Sequence, residues 1–254
     1  MRSLHTLYEF CALYLGLGLL GFLCLLWIPI ATILYVVLPQ RRAGVVGRFA
    51  IMSGFNVYIR FLALMGACRF DISALDALRG QPPMIIAPNH PCLLDAVMVI
   101  SRLPNVACIM KASLFDNIFL GAGARLARYI RNGAAVKMVI DAADSLRDGN
   151  HLLIFPEGTR TTRLPVNPFM GGIGFIAQRA GVPVQTVFIE TDSAYLSKGW
   201  SLFRKPSMPI TYRIRLGRRF EPANDIKLFI TDLEQYFADE LSVHAPIPEM
   251  PQTV

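Results

Sequence analysis

The sequence predicts an α/β fold: a mixed sheet covered by helices, preceded by an N-terminal helical membrane anchor. Three observations carry this expectation. Short apolar runs at 84–87, 106–110, 152–155 and 184–189 have the length of buried strands, and helix-like stretches alternate with them. From Phe10 to Leu38 the chain runs 29 residues without a charge, more than the roughly 20 that cross a bilayer. Two of the apolar runs empty into polar turns, Asn89–Asp95 and Pro156–Arg160, and α/β sheets keep their chemistry at such strand ends.

The anchor comes first. Hydrophobic residues make up 54% of the 254 positions and charged residues 17%, and the apolar surplus is concentrated in this N-terminal run. It is too long for a cleavable signal peptide, and no small-x-small cleavage site follows it. Pro29 interrupts it, which leaves open one long kinked span or two shorter helices dipping into one leaflet. Arg41, Arg42 and Arg48 follow the run while only Arg2 precedes it, so the positive-inside rule places the rest of the chain on the cytoplasmic side. Five cysteines with no C-x-x-C spacing fit a reduced compartment and argue against disulfides or a thiolate zinc site. A net charge of +7 suits anionic headgroups or acidic partners. No basic motif with interleaved aromatics appears outside the membrane-like regions, so nucleic acid is not expected as a partner.

Residues 44–66 predict a second helix, with Val45, Phe49, Met52, Phe55, Ile59 and Leu62 at helical spacing. It reads as an amphipathic helix on the membrane surface, a core helix being the alternative. The anchor unit then covers 1–66 and the α/β domain 67–245. Helices are expected at 96–102, 115–130, 136–148 and 172–180, the last two closed by Gly149 and Gly181. Ile210, Tyr212, Ile214 and Leu216 alternate with polar residues as a half-buried strand. Ile226 to Leu241 carries one apolar stripe of a final helix, and the Pro-rich tail 246–254 is expected to be disordered.

The first polar turn holds His90 and Asp95, a base and a carboxylate five positions apart. On a regular helix five positions separate side chains by about 140°, so the two cannot both sit mid-helix and touch. With His90 in the loop and Pro91 opening the helix, Asp95 falls in the first turns and leans back toward the imidazole. A helix-capping segment with a histidine packed by chance is the plainer alternative. The second turn offers Gly158, where a ligand can approach the backbone, and Arg160, a planar charged fork suited to phosphate or carboxylate.

The H-x-x-x-x-D block His90–Asp95, followed by F-P-E-G-T-R at Phe155–Arg160, resembles the glycerolipid acyltransferases. Closest in plan are the bacterial 1-acylglycerol-3-phosphate acyltransferases. The resemblance covers roughly 84–190, and the N-terminal apolar segment matches the same plan. It implies that His90 is a general base removing the acceptor hydroxyl's proton as that oxygen attacks an acyl thioester, and that Asp95 orients the imidazole. It assigns acceptor binding to Glu157, Gly158, Thr159 and Arg160, with Lys111 and Arg131 completing a phosphate clamp. It implies no cofactor beyond the co-substrate, a thioester of acyl-CoA or acyl carrier protein. The partners are then the bilayer and a lysophospholipid acceptor, and the location the inner membrane, with the domain on its cytoplasmic side.

The chain departs from the family where the acceptor headgroup is expected. A common Phe-Lys-x-Gly pattern reads Phe169-Met170-Gly171-Gly172, and the segment ending in an acidic-arginine pair reads Ala127 to Asn132. The same chemistry on an aminolipid or a specialised polyene lipid is therefore an alternative. A thioesterase or lipid hydrolase, with water as acceptor, is a second, and a non-catalytic lipid-binding member a third. Cys92 reads as a packing residue rather than a nucleophile. His5, His151 and His244 have no partner at metal spacing, so no metal site is expected. Gly171–Gly174 lacks the lysine of a P-loop. The basic stretch 198–219 fits an anionic lipid surface, an acidic carrier protein or a merely solvated face.

Overall fold

The computed structural model describes residues 2–243; the expected tail at 246–254 and His244 lie outside them. Helix α1 spans Arg2–Val37 and runs unbroken through Pro29, so one long helix replaces the two-helix alternative. Helix α2 spans Gln40–Leu64 and lies against α1 and the domain. Strand β1 (Cys68–Asp71) and a 3-10 turn (Ser73–Leu78) lead into β2 (Ile85–Pro88) and α3 (Leu94–Arg102). Next come β3 (Val106–Lys111), α4 (Ala112–Phe115), α5 (Gly121–Leu126), β4 (Ile130–Asn132), α6 (Ala135–Arg147) and β5 (His151–Leu153). The chain continues through α7 (Gly172–Ala180), β6 (Val184–Thr191), β7 (Ile210–Phe220) and α8 (Ile226–Val243).

The seven strands form one sheet in the order β1-β7-β6-β2-β5-β3-β4. The five from β6 to β4 are parallel, whereas β7 runs antiparallel to β6 and carries β1 along it, which makes the sheet mixed. Successive strand residues point to opposite faces. Ile86 accordingly enters the core under α2 and α3, with Met98, Val99 and Tyr212. Ile85 and Ala87 enter the opposite core, with Ile173, Phe188 and Phe237 under α7 and α8. Fully burying aromatic or branched side chains of this kind stabilises by about 1.5–3 kcal/mol each.

Helix α1 is held to the domain at both ends. Near its start Tyr8 Oη donates to the Met65 carbonyl at 2.8 Å, and Glu9 pairs with Lys205 and accepts from the Met208 N–H at 3.1 Å. Further along, Ala31 packs with Ala43, Ala122 and Leu126, joined by Trp27 and Leu34. The outer face leaves Phe22, Leu25, Leu26 and Ile33 exposed. Helix α2 combines its two expected characters: Tyr58, Ile59 and Leu62 are buried, while Val45, Phe49 and Val57 face outward. Arg48, an apparent break in its apolar pattern, is buried and donates to Asn105 Oδ1 (2.8 Å) and the Ala127 carbonyl (3.1 Å). Gly47 lets α2 approach α5 closely, since a Cβ there would lie 2.6 Å from the Ala127 nitrogen.

The long helix expected at 115–130 is instead α4, a turn, α5 and β4. Asn117 Oδ1 accepts the N–H groups of Phe119 (2.8 Å) and Leu120 (3.3 Å), the side-chain competition with helix that asparagine favours. Arg128, at φ 57°, then reverses the chain so that Ile130 pairs with Ile109. Strand β1 also carried no periodic signal. It has four residues at the edge of the sheet, and only Cys68 is buried. Gly181 closes α7 in the left-handed conformation, as its sequence position indicates.

Candidate active site

The parallel strands β2, β5 and β3 are neighbours, so the loops leaving their C-terminal ends share one edge of the sheet. His90 lies two residues beyond β2, Glu157 four beyond β5, and Lys111 is the last residue of β3. Arg131 sits on β4 opposite Met110. All the residues singled out from sequence therefore fall along one rim, with Lys111 and Arg131 two and three strands from β2.

Helix α3 begins at Leu94, three residues later than a start at Pro91, and Asp95 is its second residue. There the helix dipole favours a carboxylate. The imidazole Nδ1 of His90 lies 2.8 Å from Asp95 Oδ2, the geometry of an Nδ1–H donating to the carboxylate. The same oxygen accepts the Cys92 N–H at 2.8 Å, and Oδ1 accepts the Cys92 thiol at 3.0 Å. Asp95 is fully buried, and desolvation pushes its carboxyl pKa up, against the opposing pull of His90 and Cys92. The side chain of His90 keeps 17% of its surface exposed. Burial and the neighbouring Asp95 push the Cys92 thiol well above the ordinary thiol range, which leaves it a protonated packing group and hydrogen-bond donor.

The second turn wraps the first. Phe155 stacks on the His90 ring, with centroids 3.8 Å apart and planes 20° apart. Glu157 is buried, 4% exposed, and its Oε1 accepts the His90 N–H at 3.0 Å and the Thr161 hydroxyl at 2.8 Å. Its Oε2 accepts the Asn167 N–H at 3.0 Å. Thr161 N–H returns a bond to the His90 carbonyl at 2.8 Å. Gly158 stands at φ 65°, and a Cβ there would meet Met170 Sδ at 2.3 Å; the glycine serves the turn and its neighbour's packing. Thr159 is exposed at the tip.

Two of the expected cations have partners. Arg160 Nη1 donates to the carbonyls of Leu196 and Ser197, both at 2.8 Å, and so ties the loop after β6 to the site. Arg131, half-exposed, pairs with Asp116 at 2.9 Å. Lys111 is exposed. Sequence reasoning missed Asn89, whose amide brackets Ile189 through Oδ1 (2.7 Å) and Nδ2 (3.0 Å) and pins the start of the first turn to β6. It missed Asn167 and Thr161 as well, which lie outside both motifs and make their bonds only in the fold. Among the described residues no group of His, Cys, Asp or Glu is placed to hold a metal ion.

With this geometry in hand, residues 69–190 match the Acyltransferase family. Human 1-acyl-sn-glycerol-3-phosphate acyltransferase beta is 24% identical over 168 residues, 63% of this chain and 60% of its own length. The lyso-ornithine lipid O-acyltransferase of Rhodobacter capsulatus is 32% identical over 114 residues, 40% of each chain. The chain thus spans less than two thirds of the length of either relative. In fold it is similar to the crystal structure of the 1-acyl-sn-glycerophosphate acyltransferase PlsC from Thermotoga maritima, with TM-score 0.71, 17% identity, and 98% of this chain and 100% of that one covered. Residues 69–190 thus match the acyltransferase family, and the chain is similar to that family's 1-acylglycerol-3-phosphate members.

Proposed function

We propose that the protein transfers a fatty acyl chain from a thioester to the free hydroxyl of a lysophospholipid such as 1-acylglycerol 3-phosphate, with His90 as general base and Asp95 as its orienter. The carrying observation is the 2.8 Å contact between His90 Nδ1 and the buried Asp95 carboxylate. It directs the other ring nitrogen, Nε2, to the substrate. Nε2 takes the hydroxyl proton while the oxygen attacks the thioester carbonyl, and the new C–O bond gives a tetrahedral oxyanion. On collapse the C–S bond breaks, and the imidazolium returns its proton to the departing thiolate. Positioned proton transfer of this kind contributes about 10²–10⁴-fold. No protein nucleophile takes part. Of the cations singled out from sequence, Lys111 is the one exposed without a side-chain partner named above, and it is assigned to the acceptor's phosphate.

The acyl chains are expected to arrive through the membrane. From Glu9 to Ala31 a helix rises about 33 Å, close to the roughly 30 Å of a bilayer's hydrocarbon core. Both positions touch the same domain, so a helix crossing perpendicular would drag that domain through the lipid. These contacts support α1 lying in one leaflet with its outer face in the acyl chains, where donor and acceptor concentrate. In that reading the domain faces the cytoplasm.

A second reading keeps the chemistry and changes the acceptor to an aminolipid. It is favoured by the partners of Arg131 and Arg160 and by Met170 beside Gly158, which leave few cations for a phosphate. Incubating the membrane-embedded protein with labelled acyl-CoA, with and without lysophosphatidate or lyso-ornithine lipid, separates the readings. Product label appearing only with acceptor, and abolished by His90→Ala, is expected. Label released as free acid at equal rate without acceptor overturns the transferase reading.

A further inference from the structure

The geometry points to Glu157 as a positioning residue for His90 rather than a ligand of the acceptor. This rests on His90 being the base. An ionised carboxylate has about four lone-pair sites, and a buried one is tolerated only when hydrogen-bonded donors fill them. Glu157 has its three donors within the protein: the His90 N–H, the Thr161 hydroxyl and the Asn167 N–H, at 2.8–3.0 Å. Its side chain is buried at 4% exposure, beneath the turn instead of on its rim. Three of the four sites are taken, and with the residue this buried an acceptor headgroup reaches the fourth only if the turn opens.

What Glu157 does hold is the peptide of the base. The His90 N–H ends on Glu157 Oε1, the His90 carbonyl accepts the Thr161 N–H, and Thr161 is itself bonded through its hydroxyl to the same Oε1. The three bonds close a ring between the two turns, which leave the adjacent parallel strands β2 and β5 in register Ile86 to Leu153. The far side of the ring is stiffened by Asn167. Its N–H holds Glu157 Oε2, its Oδ1 accepts from Thr162 and Arg163, and its Nδ2 donates to the Arg160 carbonyl at 3.2 Å. Asp95 and Phe155 fix where the imidazole points, while Glu157 and Thr161 fix where its Cα stands. Displacing a catalytic group by about 1 Å costs on the order of 10²-fold in rate.

The test is Glu157→Gln, which keeps the shape and turns one oxygen into a donor facing donors. The full chain is assayed in mixed micelles with saturating palmitoyl-CoA and titrated 1-oleoylglycerol 3-phosphate. The expected result is kcat lower by roughly 10–100-fold with acceptor KM within about twofold. A KM raised about tenfold at unchanged kcat identifies an acceptor ligand and overturns the inference; so does no change in either. If Glu157→Gln does not fold, as read by near-UV circular dichroism, Thr161→Val removes a single bond of the ring and is expected to lower kcat by about three- to tenfold, again at constant KM. A change confined to KM in Thr161→Val, or none at all, overturns it. His90→Ala run alongside separates the two layers: turnover retained there removes the base assignment itself, whereas its loss beside a pure KM effect in Glu157→Gln removes only the positioning role.

Discussion

The rings of His90 and Phe155 lie face to face, centroids 3.8 Å apart, although the two residues leave different strands and are 65 positions apart in sequence. The imidazole is thereby clamped between the Asp95 carboxylate at its edge and an aromatic face beneath it. A protonated imidazole over that face gains the attraction of a cation for the ring's negative face, about 0.5–2 kcal/mol.

Phe155→Leu keeps the apolar bulk and removes the ring face. With His90 as the proposed base, the imidazolium formed during attack loses this support and the ring gains freedom, so kcat is expected to fall by about three- to thirtyfold, in line with that energy. Single-turnover measurement of acyl transfer checks it. A rate within twofold of the parent would show that the stack contributes packing alone.

Asp95→Asn is expected to stabilise the fold and disable the enzyme. Burial raises the Asp95 carboxyl above its ordinary 3.8, so its folded-state ionisation is unfavourable. A carboxylate shifted this way contributes its stability below 3.8 and loses it as pH rises through the raised value. Asparagine carries no charge, so its gain in Tm is present at neutral pH and shrinks as pH falls through that window. Tm differences between variant and parent, measured in detergent from pH 4 to 8, read the effect; a gain that grows toward acid has the wrong sign. Turnover is expected to drop by about 10²–10⁴-fold, since Asn presents the wrong partner to Nδ1.

Gly158→Ala combines two penalties. The left-handed backbone at φ 65° costs a non-glycine residue about 1–3 kcal/mol, and the new Cβ collides with Met170 Sδ. A Tm lower by roughly 3–8 °C is expected. Gly158→Ala with Met170→Ala relieves the collision and leaves the backbone term, so recovery should be partial. Complete recovery would assign the whole cost to the methionine.

The contacts of α1 predict its topology. A cysteine at Ser3 and one at Ser242 should both react with a membrane-impermeant maleimide from the cytoplasmic face, above the labelling of the native cysteines. Reaction of the Ser3→Cys position only from the opposite face would establish a crossing helix and remove the one-leaflet placement.

Much of this architecture is legible in the chain because its signals are local. Val184–Ile189 and Gly172–Ala180 announce themselves by apolar run length, periodicity and a closing glycine, and the structure keeps them almost to the residue. The region 115–130 misleads for the same reason: its composition is helical, and only the bonds of Asn117 and the pairing of Ile130 with Ile109 divert it. At the site, the types and spacing of His90 and Asp95 announce a pair that must meet at a helix start. Phe155, Glu157 and Arg160 are equally visible as a motif, but their partners are not.

The sequence by itself determined the α/β alternation, the apolar N-terminal helix and the two polar turns, because each depends on residues close together in the chain. Only the tertiary structure decided what the second turn does. Strands β2 and β5 pair in parallel, so their C-terminal loops emerge side by side, and the buried Glu157 meets the peptide N–H of His90 instead of solvent. The same packing sends Arg160 to the carbonyls of Leu196 and Ser197. A buried carboxylate must collect donors, and a guanidinium takes the acceptors within reach; which ones those are is fixed by strand order, which no local pattern encodes.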